Sequence, residues 1–109
     1  MLPLSKRARI EIYVPSGARF GRLRTLLECE LSYAFGGCTV VGGIKGQYLA
    51  ADGTRDTEPI DLIYADAPFD FEENLQVLSE YTDDLKRVAL KTTSEESILI
   101  VVQETYHSV

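Results

Sequence analysis

Cys38-Thr39-Val40-Val41-Gly42-Gly43-Ile44-Lys45-Gly46-Gln47-Tyr48-Leu49-Ala50 is the stretch whose reading decides the fold. It starts as a β-branched run, which favours a strand. Gly42-Gly43 interrupts the run and Ile44 to Ala50 resumes it, the pattern of a strand carrying a bulge or bend. Ala51-Asp52-Gly53-Thr54 follows, with the Asp-Gly pair that turns hairpins. Ile60 to Ala65 is the returning strand, and Pro59 stands near its start, where proline is tolerated. A hairpin therefore occupies the middle of the chain, and what flanks it sets the topology.

Upstream, Ala8 to Val14 alternates. Ile10, Ile12 and Val14 point one way while Arg9, Glu11 and Tyr13 point the other, the period of a strand with one buried face. Pro15-Ser16-Gly17 stops it. Phe20 to Phe35 then reads as a helix, with Phe20, Leu23, Leu27, Leu31 and Ala34 on one face. Cys29 lies opposite that face, and Gly36-Gly37 supplies a positive-φ stop. Downstream, Ala67-Pro68-Phe69 closes the returning strand. Asp70 and Glu73 resemble a capping box, and Phe71, Leu75, Leu78, Thr82, Leu85 and Ala89 share a helical face. Thr92 to Glu96 reads as a loop and Ile98 to Val102 as a last strand.

The order is β-α-β-β-α-β. Such an order predicts an α+β fold, a ferredoxin-like βαββαβ two-layer sandwich with an antiparallel sheet and two helices on one face. Residues 1–109 make one domain. The last strand is apolar on both sides, with Ile98, Ile100 and Val102 on one and Leu99 and Val101 on the other. A strand buried on one side alternates, so Leu99 and Val101 predict a homo-oligomer packed through the open face of the sheet.

Composition narrows the function. The chain has 109 residues, 45% of them hydrophobic and 26% charged, with a net charge of −6. This is ordinary globular usage. Residues 1–27 hold six cations against the single acid Glu11, and residues 46–85 hold eleven acids against Arg55. The acidic total argues against nucleic acid as a partner. No apolar run reaches the ~18 residues of a membrane span, and the first residues lack a signal-peptide core. The expected compartment is the cytoplasm. Cys29 and Cys38 match no zinc spacing, a single His completes no mixed site, and no metal or cofactor is expected.

Two candidate sites emerge. The first is the strand-to-helix turn Ser16 and Gly17 with Arg19 and Arg22, and with Arg24 beside them. Cations are disfavoured at a helix start, and an anion held by backbone N–H groups and arginine would offset them. The alternatives are solvated arginines, or arginines paired with acids of a neighbouring subunit. The second is a pocket lined by Tyr13, Tyr48 and Tyr64, all on strands. The glycines from Gly36 to Gly46 follow neither a P-loop nor a dinucleotide pattern. His107, near the C-terminus, has no catalytic partner in the sequence.

Gly37-Cys38-Thr39-Val40-Val41, Gly46-Gln47-Tyr48, Asp52-Gly53 and Glu58-Pro59 together resemble a bacterial family of small uncharacterised ferredoxin-like domains, as does Glu96-Ser97-Ile98-Leu99. That family brings no catalytic residues with it. Thr39-Val40-Val41 before Lys45-Gly46, with Ile60-Asp61-Leu62-Ile63-Tyr64-Ala65-Asp66, also resembles the second and third strands of PII-type signalling proteins. In those proteins a long loop between the two strands helps to bind ATP and 2-oxoglutarate. The expected function is a non-enzymatic, oligomeric binding or regulatory module for a small anionic ligand. The alternative is a small cofactor-free enzyme of the dimeric α/β-barrel type. It would need a cavity between sheet and helices with polar groups converging from Tyr13, Tyr48, Tyr64 or His107.

Overall fold

Along the first strand Ala8, Ile10, Ile12 and Val14 are fully buried, as the alternation predicts. The computed structural model describes residues 4–68, 70–93 and 98–108. Its elements are β1 (Leu4–Pro15), α1 (Gly21–Phe35), β2 (Thr39–Leu49), β3 (Arg55–Ala67), α2 (Leu75–Thr93) and β4 (Leu99–Ser108). The sheet order is β2-β3-β1-β4, with every neighbouring pair antiparallel. This is the expected ferredoxin-like α+β architecture.

The core lies between the sheet and the two helices. α1 contributes Leu23, Leu27 and Leu31, spaced one turn apart, and α2 contributes Leu78, Leu85 and Ala89. They meet the β1 row together with Ile63, Ala65 and Ala67 of β3. Each leucine, isoleucine or valine side chain taken out of water stabilises the fold by about 1.5–3 kcal/mol. Where the helices touch, the Phe35 and Tyr81 rings meet edge to face, with centroids 5.5 Å apart. The Tyr81 hydroxyl donates to Glu30 Oε1 at 3.0 Å. Burial, reinforced by the Glu30 carboxylate, pushes the Tyr81 phenol well above its ordinary pKa.

The two glycine expectations hold. Gly36 ends α1 with φ +85°. The β2–β3 register shifts between Val41 and Ile44, with Gly43 at φ +76° in the bulge. The Asp52-Gly53 turn closes the hairpin, Gly53 adopting φ +87° and Ala50 N–H donating to Thr54 O at 2.8 Å.

Several boundaries differ from the sequence reading. A 3-10 turn, Ala18–Phe20, precedes α1. Asp70 Oδ1 accepts the Glu72 and Glu73 amides at 3.0 and 3.1 Å, so it caps a turn, and the α-helix begins only at Leu75. Leu75 and Ala34 are exposed, although both fall on the apolar stripes. Thr92 and Thr93, expected in a loop, continue α2. Their hydroxyls donate to Val88 O and Ala89 O one turn back. The rest of that expected loop lies outside the described residues. β4 runs six residues past Val102, because β1 offers it backbone partners as far as Leu4↔Ser108.

These longer strands give the molecule its 51 Å length. β1 pairs with β3 only from Ala8↔Ala67 to Pro15↔Ile60. The start of β1 and end of β4 therefore continue as one two-stranded ribbon, and the outer parts of β2 and β3 continue as another at the opposite end.

Replacing Tyr81 with Phe should keep the ring contact and lose the bond to Glu30, costing about 1 kcal/mol near neutrality. Tyr81's folded-state pKa lies above its unfolded value of about 10, so its contribution is whole below that pH and is lost as pH rises past it. Urea unfolding of wild type and Tyr81→Phe should give a stability gap that shrinks between pH 8 and pH 11. A gap constant with pH would contradict this account.

Candidate functional site

Both helices lie on one side of the sheet, so the other face carries the even-numbered positions of β3 from Ile60 to Asp66 and the odd-numbered positions of β1 and β4. Its centre is polar and internally paired. Arg9 donates to both carboxylate oxygens of Asp66, at 2.8 and 3.2 Å, and its guanidinium lies 4.5 Å from the centroid of the Tyr64 ring. His107 Nε2 is 3.6 Å from the same carboxylate. The hydrogen bonds from Arg9 hold Asp66 below the usual carboxylate range, and they raise Arg9 in turn. Glu11, only 8% exposed, accepts from Tyr13 Oη at 2.9 Å and from the Gln103 side-chain amide.

At the Pro15 end the face becomes a pocket of about 320 Å³ between Tyr13, Pro15, Tyr48, Glu58, Ile60 and Leu99. The register explains it. Gly46 stands opposite Glu58 and Tyr48 opposite Asp56. A Cβ on Gly46 would overlap Ile60 Cδ1 and sit 3.0 Å from Tyr48 Oη. The missing side chain therefore lets the Tyr48 ring lie back over Gly46 towards Glu58. Burial, together with the Glu58 carboxylate it bonds, raises the Tyr48 phenol.

Of the three tyrosines expected to share a pocket, Tyr13 and Tyr48 do. Tyr64 sits beneath Arg9 and borders a separate hollow with Phe35, Cys38, Thr39 and Asp66. The space between sheet and helices, where an enzyme of the barrel type would hold its substrate, contains the fully buried Ile10, Ile12, Leu23, Leu27, Leu31 and Ile63. The described residues include no group of three or more His, Cys, Asp or Glu placed to hold a metal. Cys38 Sγ lies 3.6 Å from Glu28 O.

At the strand-to-helix turn, Ser16 donates its hydroxyl to Asp61 Oδ1 at 2.9 Å. Arg24, which the sequence reading grouped with Arg19 and Arg22, organises the turn. It donates to Pro15 O and Gly17 O, both at 2.9 Å, and its Nε is 3.3 Å from Asp61 Oδ2. Arg19 and Arg22 are exposed beside it, Arg19 with its guanidinium 4.7 Å from the Phe20 ring centroid. Gln103 escaped notice, and the roles of Glu58 and Arg24 were not legible, for one reason: each acquires its role from a cross-strand or loop partner.

Element order and sheet order together define the class, a ferredoxin-like α+β domain. No protein-family model matches the chain, and no curated protein matches it. Solved structures do. CutA1 from Oryza sativa superposes with a TM-score of 0.55 at 17% identity, covering 92% of this chain and 80% of that one. CPII from Thiomonas intermedia K12, bound to ADP, AMP and acetate, gives 0.56 at 18% identity, covering 99% and 94%. A second structure of CPII, a nitrogen regulatory PII-like protein, bound to ADP, AMP and bicarbonate, gives 0.51 at 17%, covering 98% and 100%. At these identities the likeness is one of fold, and it agrees with the PII-type resemblance of the strand sequences. Among the described residues no helix is long and apolar enough to cross a membrane.

Asp66→Asn should cost about 0.5–1 kcal/mol at pH 7, the range of a partly exposed pair. Because Asp66's folded-state pKa is depressed, its contribution is present above the unfolded value of about 3.9 and fades as pH falls through the folded one. The gap between the thermal melts of the two proteins should narrow as pH falls below about 4. Melts that stay equally far apart there would assign the cost to something other than the ion pair.

Proposed function

We propose that this chain is a non-enzymatic, oligomeric binding or regulatory module of the cytoplasm, which associates through its open sheet face and takes a small anionic ligand. The observation that carries the reading is the uncovered face itself. Leu99 is 59% exposed and Tyr48 48%, with Val41, Leu62 and Val101 also on that side. Contiguous exposed apolar surface on a small domain marks an interaction site. The solved structures of similar fold support the ligand class, since CPII was captured with ADP, AMP, acetate or bicarbonate, all anions.

The anion would sit at the turn of Ser16 and Gly17, against the guanidinium groups of Arg19 and Arg22. Arg24 already pairs with Asp61 there, which offsets a carboxylate that would repel it. The enzyme alternative has less support, because its substrate space between sheet and helices is occupied by aliphatic side chains.

Two measurements test this reading. Light scattering at micromolar concentration should give a mass of at least two chains, and a monomer would count decisively against it. Calorimetric titration with inorganic phosphate, bicarbonate and ADP should detect binding at millimolar concentration or below. The Arg19→Ala, Arg22→Ala double variant should weaken that binding about tenfold or more, as expected for losing charge-assisted bonds. Equal binding by the double variant would move the ligand elsewhere.

A further inference from the structure

The charged groups of the open face are paired within the chain in the middle and left over at its two ends. Arg9, Asp66 and His107 form one cluster. Glu11 is satisfied by Tyr13 and Gln103. What remains at the β1 start is Arg7, whose register partner is Thr105. Arg7 Nε and Thr105 Oγ1 are buried, and neither has a hydrogen-bond partner. The Arg7 Nε–H is a donor without an acceptor, and the Thr105 hydroxyl, which can donate or accept, is left over beside it, whereas buried polar groups are paired in native structures. At the other end stands Glu58, held by Tyr48 alone, with no Lys or Arg ion-paired to it among the described residues. Asp56 lies one step further out on the same ribbon.

The two ends are complementary in sign and in shape. Glu58 is the acid of a pocket walled by the rings of Tyr13 and Tyr48. Aromatic faces beside a carboxylate suit a guanidinium, which the rings attract and the carboxylate binds through a fork of N–H donors. Arg7 and Tyr13 are six residues apart on one strand, about 20 Å, so Arg7 cannot reach the pocket of its own chain. Packing a second copy against the open face with its β1 reversed brings the start of one strand over the end of the other. The two ribbons, which project from opposite ends of the sheet, make the same overlap in a closed ring.

We propose that the pocket of Tyr13, Tyr48 and Glu58 is completed by Arg7 of a second copy, so that each interface carries this contact and the face is specific for its own kind. The inference rests on the open-face association proposed above and assigns the residues that direct it. An alternating apolar patch alone would bind loosely and in many registers, whereas a desolvated arginine in an aromatic pocket is the sort of anchor that fixes one.

The test is sedimentation velocity over a range of concentrations for wild type, Arg7→Glu, Glu58→Arg and the double exchange, with circular dichroism confirming that each is folded. Each single variant should dissociate at a concentration about thirtyfold higher than wild type or more. The double exchange should regain most of that loss, and Glu58→Gln, which keeps the size of the side chain, should weaken assembly in the same direction. Raising salt should weaken wild type more than Glu58→Gln. A wild type that associates while the single variants associate equally well overturns this pairing and leaves the open-face reading intact. So does a double exchange no tighter than the weaker single variant. A wild type that stays monomeric overturns both.

Discussion

Two helices cover one face of a four-stranded sheet, and among the described residues none is left to cover the other. The rest of this molecule can be read as an accommodation to that constraint. On the covered side the chain places Ala8, Ile10, Ile12 and Val14 in an unbroken row against the leucines of α1. On the uncovered side it must keep hydrophobic residues that support the strands without leaving a uniformly greasy plane. It does so by inserting a polar band, Arg9 with Asp66 and Glu11 with Gln103 and Tyr13, across the middle of the face. The apolar and aromatic residues gather at the Pro15 end.

The polar band also bears on dynamics and register. Because side chains alternate along a strand, a slip of one residue would carry Glu11 and Arg9 into the core. The penalty for burying two unpaired charges therefore disfavours any one-residue slip of β1 against β3 and β4. Hydrogen bonds from Arg9 to Asp66 and from Gln103 to Glu11 tie three strands together at the point where such a slip would begin.

Much of this was legible in the sequence. Strand alternation, the leucine spacing of α1, the helix stop at Gly36, the bulge at Gly42-Gly43 and the Asp52-Gly53 turn are local signals, each with a local cause. Element lengths were less legible. β4 continues through Gln103, Glu104 and His107, which have little strand character of their own and are strand because β1 supplies hydrogen-bond partners. Asp70 reads as a helix cap but caps a separate turn, since the competing turn satisfies the same amides. The candidate site was half visible: Tyr13 and Tyr48 meet as the strand pattern implied, whereas Tyr64 is diverted under Arg9. Glu58 gained its place from a bulge that sets which residues of β2 and β3 face each other.

That bulge has a further consequence. Between Val41 and Ile44 the chain spends one residue more than its partner strand does between Leu62 and Ile60. The bulge absorbs that residue, so Ile44 still meets Ile60 and Gly46 still meets Glu58 on the face that Val41 and Leu62 share. A lineage that lost either Gly42 or Gly43 would straighten the strand and keep every one of those pairs, whereas one that gained a residue in the outer arm with no second bulge to absorb it would turn that arm inside out. The two glycines thus mark the place in the hairpin where chain length can change while the surface stays the same.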